Sequence, residues 1–134
     1  MTNSNEIRSF RDLHIWKDAI RLVKLIYETT GKFPTAENYG LTSQVRRAAV
    51  SVPSNIAEGH TRGHRSEFKQ FLFIALGSLA ELETQILIAN EPGYLKGRCG
   101  EDIVKEIDVL GKRIRSLILK LTPNPQSPTP KDDC

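Results

Sequence analysis

Apolar positions recur at helical spacing through almost the whole chain. The first run carries Leu13, Trp16, Ile20, Val23, Tyr27 and Thr30 at alternating intervals of three and four, which predicts a helix with a coiled-coil-like seam. Ser9, three residues before Asp12, reads as a capping box ahead of it, with Asp in place of the usual Glu. Gly31 is the expected stop, and Pro34 opposes continuation. A second helix is expected from Thr35 as its cap to about Thr61, with Glu37 in the first turn, where the helix dipole favours an anion. Leu41, Val45, Ala48 and Val52 give it an apolar face, and Arg47, Ser51, Asn55, Glu58 and Arg62 give it a polar row. Pro53 lies inside this run. An interior proline removes a backbone hydrogen bond and costs roughly 3 kcal/mol, so a kink is expected, with the freed carbonyl taking another partner.

The third run is the most regular. Phe68, Leu72, Ala75, Leu79, Leu82, Ile86 and Ala89 alternate four and three, while Phe71, Phe73, Ile74, Leu76, Leu87 and Ile88 lie off that seam. A helix apolar on more than one side suits a central or interface position. Gly59 and Gly63 separate it from the second helix, and Pro92-Gly93 ends it. The fourth run is Ile103, Ile107, Leu110, Ile114, Leu117 and Leu121. The predicted fold is therefore all-α, an antiparallel up-down four-helix bundle with a kinked second helix, over residues 10–121. Residues 1–9 read as a disordered N-terminus, and the four prolines of 122–134 mark that stretch as a disordered tail.

Composition changes this picture little. A chain of 134 residues with 39% hydrophobic and 26% charged content is an ordinary single domain, long enough to bury a core without staples. Met1 to Phe10 is polar, and no apolar run reaches the roughly 18 residues of a membrane span, so no membrane association is expected and the protein reads as cytoplasmic. A net charge of +3 permits a nucleic-acid partner without requiring one. Cys99 and Cys134 belong to no Cys-x-x-Cys or Cys/His cluster, and two reduced thiols are expected.

The stretch QVRRAAVSVPSNIAEG, Gln44 to Gly59, closely resembles the signature of the four-helix-bundle proteins called 23S rRNA intervening-sequence proteins. Leu13-x-x-Trp16-Lys17 resembles that family's opening, Phe33-Pro34-x-x-Glu37-x-x-Gly40-Leu41 its first connection, and Gly77-Ser78-Leu79-x-Glu81-Leu82 its third helix. The resemblance covers roughly residues 10–121 and implies the same bundle. The family is similar in turn to the accessory variability determinant of diversity-generating retroelements. Those proteins form cyclic pentamers, so the resemblance implies a homo-oligomer here.

The candidate chemistry is modest. No Glu-x-x-His metal motif occurs, and His60 and His64 are separated by Gly63, so neither metal nor cofactor is expected. No nucleophilic constellation is visible; Arg8 and His14 match the Arg-x-His spacing of some helical RNases, but straddle a helix start instead of lying late on a core-facing helix. No enzyme is expected. Ser51, Asn55 and Glu58 are expected to face Ser78, Glu81 and Gln85 in an interhelical network that also answers Pro53; a cleft at the kink is the alternative. Arg46, Arg47, Arg62, Arg65, Lys112, Arg113 and Arg115 are either a solvated surface or a phosphate-binding patch, sequence-blind and salt-dependent. Phe71, Phe73 and Leu87 are candidates for a second contact surface. The leading reading is a non-catalytic, nucleic-acid-binding oligomeric adaptor with RNA or DNA as partner. The alternative is a scaffold for a polypeptide such as a reverse transcriptase.

Overall fold

The computed structural model describes residues 7–123. These form four α-helices: α1 (His14–Thr30), α2 (Leu41–Thr61), α3 (Arg65–Asn90) and α4 (Cys99–Leu121). Short 3₁₀ turns occupy Phe10–Asp12 and Thr35–Glu37, and no strand occurs among the described residues. The protein is an all-α four-helix bundle. The two expected disordered ends fall mostly outside the described residues.

Each helix packs on the next, and α1 also packs on α4, whereas neither α1 with α3 nor α2 with α4 comes together among the described residues. The core is aliphatic, with Ile26, Val45, Val52, Ile56, Leu72, Leu82, Ile86, Ile103 and Ile114 fully enclosed. All seven expected seam residues of α3 are buried. In α4 the seam holds through Ile114 and then drifts: Ile118 is buried, and Leu117 and Leu121 are half-buried. An α-helix with 3.6 residues per turn outruns a strict heptad by about 20° per repeat, which moves the buried stripe by one position over that length.

The seam of α1 differs from expectation. Its buried apolar residues are Ile15, Ala19, Leu22 and Ile26, while Tyr27 is 43% exposed. Both stripes have the same spacing, and the large aromatics drew the expected one. Trp16 is only half-buried and stacks edge-on with Phe10, their centroids 5.3 Å apart. The Ser9–Asp12 capping box forms, but it closes the 3₁₀ turn; α1 begins beyond it with Leu13 as its N-cap.

The start of α2 also differs. Thr35 opens a separate 3₁₀ turn, and Gly40 is the N-cap of α2. Glu37 still serves the helix dipole, because its Oε1 accepts from the Leu41 amide at 3.2 Å. The other oxygen accepts from the Tyr94 hydroxyl at 3.0 Å, tying the loop after α3 to this connection. Helix α2 then runs through the buried Pro53 as one element and ends at Thr61. Gly63 makes the following turn at φ 77°, a left-handed conformation that favours glycine. By length and composition α3 is apolar enough to cross a membrane, contrary to the expectation that no stretch would be. In the bundle its apolar residues divide between the core and an exposed row.

Candidate functional site

The polar row of α2 does not reach α3. Ser51 Oγ donates to the Ala48 carbonyl at 2.8 Å, and Asn55 Nδ2 donates to the Ser51 carbonyl at 2.7 Å. Short polar side chains on a helix readily bond back to the preceding turn, and here they do. Glu58 pairs with Arg62 at 2.9 Å, and Glu81 accepts from Gln85 Nε2 at 3.3 Å on its own helix. Ser78 is buried, yet among the described residues no hydrogen bond joins it, or any other member of the α3 row, to α2. No side chain donates to the Ala49 carbonyl that Pro53 leaves free. What joins α2 to α3 is close packing. A Cβ built on Gly59 would lie 2.5 Å from the Cβ of Phe71.

The seven basic residues occupy separate places. Arg46 and Arg47 lie near the start of α2, Arg62 and Arg65 at its far end, and Lys112, Arg113 and Arg115 on α4, which does not contact α2. Arg47 and Arg62 are fifteen positions apart, roughly 22 Å along the helix. Four of the seven are committed within the chain. The Nε of half-buried Arg46 donates to Thr30 Oγ1 at 2.8 Å, and its guanidinium sits 4.5 Å over the Tyr27 ring. Thr30 passes the chain on, donating to the Ile26 carbonyl at 2.7 Å. Arg62 holds Glu58 and Glu67 and covers the Phe71 ring at 5.1 Å. Its two carboxylate hydrogen bonds raise its pKa above the ordinary value. Lys112 pairs with Asp108 at 3.2 Å, and Arg113 pairs with Asp18 of α1. Asp18 also holds Arg21 and is largely shielded, so it works as an anchor that spacing alone did not reveal. Among the described residues Arg47, Arg65 and Arg115 are exposed and make no ion pair or hydrogen bond.

The second feature is on α3. Phe73, Ile74, Leu87 and Ile88 are each between 51% and 55% exposed. Gly77, Ala80 and Thr84 lie exposed between them, so Phe73, Gly77, Ala80, Thr84 and Leu87 form a second row at intervals of four and three. Phe71 does not belong to it, being half-buried against Gly59 and Arg62. His60 lies on α2, stacked edge-on with Phe68 at 5.4 Å, and His64 is the N-cap of α3. No group of three potential metal ligands occurs among the described residues.

A family model described as 23S rRNA-intervening sequence protein matches residues 11–116. In fold the chain is similar to the crystal structure of a protein with unknown function from the S23 ribosomal protein family of Bacteroides thetaiotaomicron VPI-5482. The TM-score is 0.72 and the identity 20%, over 78% of this chain and 97% of that one. No curated protein matches the chain.

Proposed function

This chain belongs to the 23S rRNA-intervening sequence protein family, and from that premise we propose that it is a non-catalytic, cytoplasmic, nucleic-acid-binding adaptor acting as a homo-oligomer. The observation that carries the reading is the division among its cations. Arg47, Arg65 and Arg115 stand exposed without intramolecular partners, free to exchange counterions for phosphates. The other four are tied into the fold, which reduces the expected phosphate set from seven residues to these three. Contacts of this kind hold a backbone without reading bases. Similarity to the retroelement accessory determinant favours a ring, in which separated arginines repeat and weak contacts add by avidity.

Fluorescence anisotropy with labelled structured RNA, duplex DNA and single strands over a salt series tests this. Binding that weakens steeply with salt and loses about one contact's worth of slope, roughly 0.9 on duplex DNA, per Arg→Gln change at these three positions is the expected result. Absence of binding at low salt would overturn it.

A second reading rests on the exposed α3 row: a scaffold that docks a polypeptide such as a reverse transcriptase. Partner capture that survives nuclease treatment and is lost with Ile88→Lys would favour it.

A further inference from the structure

We propose that the first turn of α2 is a phosphate-binding pocket built by the Thr42 and Ser43 amides, the Ser43 hydroxyl and the guanidinium of Arg47. This rests on the nucleic-acid reading above and locates one of its contacts at atomic level. The N-cap, Gly40, offers no side chain, and Glu37 reaches only the Leu41 amide, so no side chain caps the Thr42 and Ser43 amides. Uncapped amides at the start of a 21-residue helix carry the positive end of its dipole. An open hollow of about 420 Å³ lies there, lined by Thr42, Ser43, Arg46, Arg47 and the Tyr27 edge of α1.

Two independent features set this hollow apart from a bare helix end. The first is Thr42. It is only 5% exposed, it lines the hollow, and its hydroxyl is buried without a hydrogen-bond partner. A buried hydroxyl left unpaired is costly, and an acceptor oxygen arriving in the hollow would relieve that cost. The second is the pair of arginines on the next turn. Arg46 is pinned by Thr30, the Tyr27 carbonyl and the Tyr27 ring, which fixes its charge beside the hollow without exhausting its donors. Arg47 is free to close over a bound anion. Ser43, Arg46 and Arg47 share a helix face at intervals of three and four, so amides, hydroxyl and guanidinium converge. The Glu37 carboxylate, the nearest opposing charge, is held by the Leu41 amide and the Tyr94 hydroxyl.

The ligand chemistry is a phosphate group, supplied by a nucleic-acid backbone, by a 5′-terminal phosphate or by free phosphate. NMR on the ¹⁵N-labelled full chain separates the sources. Inorganic phosphate should shift the Thr42 and Ser43 amides and the Arg47 Nε–H saturably, beyond what chloride does at equal ionic strength. Arg47→Gln should weaken this roughly tenfold, the size of one charge-assisted contact. Ser43→Ala, which keeps the helix intact, should weaken it less. An RNA oligonucleotide should shift the same amides, and stronger shifts with a 5′-phosphate than without would assign the terminal group. Shifts no larger than those from chloride would overturn the pocket. RNA that binds without moving these amides would overturn it too, while leaving the nucleic-acid reading in place. Phosphate-dependent shifts with no RNA binding would support the pocket for a small phosphate ligand and remove that reading.

Discussion

Tyr94 shows how a single contact couples the connections of the bundle to pH. Its hydroxyl donates to Glu37, and the ring tilts against the buried Phe33 with centroids 5.5 Å apart. The hydrogen bond to Glu37, then burial, then the carboxylate's charge raise the Tyr94 pKa above its ordinary 10.0. A group whose folded pKa is raised contributes stability that is present below the unfolded pKa and lost as pH rises through the folded one. The difference in denaturation midpoint between wild type and Tyr94→Phe should therefore be constant near neutrality and shrink above pH 10. A difference independent of pH would show that the hydroxyl makes no such contribution. The family motif around Glu37 was legible in the sequence, but its partner was not. Tyr94 lies 57 positions away, and no local pattern joins the two. The same holds for Asp18, whose role appears only when α4 brings Arg113 beside it.

At the scale of elements, periodicity located all four helices and most of their buried faces, because burial of an apolar stripe is what holds each helix in place. It could not choose between equivalent stripes on α1. There the small Ala19 and the aliphatic Ile15, Leu22 and Ile26 won the core over Trp16 and Tyr27. Nor could it foresee that the α2 polar row would satisfy itself along its own helix. The α2–α3 contact is a steric fit instead, and Gly59 is its tightest point. In Gly59→Ala the new methyl would meet Phe71 Cβ at 2.5 Å, with Phe68 Cδ1 and Phe71 Cγ both at 3.2 Å. Rotation of the Phe71 ring cannot relieve a clash with its own Cβ, so one helix must shift. The expected cost is about 1–3 kcal/mol in chemical denaturation, the range for overpacked cores. Adding Phe71→Ala should not restore stability, since that substitution keeps the Cβ. A neutral Gly59→Ala would mean that α2 and α3 separate at this end with little cost.

For the whole molecule, the basic residues and the exposed α3 row bear on each other. One chain offers three uncommitted arginines on different helices, and on duplex DNA three contacts give a log–log salt slope of about −2.7. A steeper slope requires cations from more than one subunit. The surface for assembly is the row from Phe73 to Ile88, which spans roughly 22 Å along α3, bulky at both ends and small between them. Its apolar side chains are left over after the core is filled, and another protein surface is what would cover them. The double variant Phe73→Ser and Ile88→Ser changes only half-exposed positions, so the bundle should keep its helicity by circular dichroism. Its mass by light scattering should fall to that of a single chain, and the salt slope should fall to −2.7 or shallower in the same samples. If the mass falls while the slope stays steep, a single chain is recruiting its ion-paired cations, with Arg62, Lys112 and Arg113 leaving their carboxylates for phosphates. If the mass does not change, subunits meet through another face, and the α3 row is left for a different polypeptide.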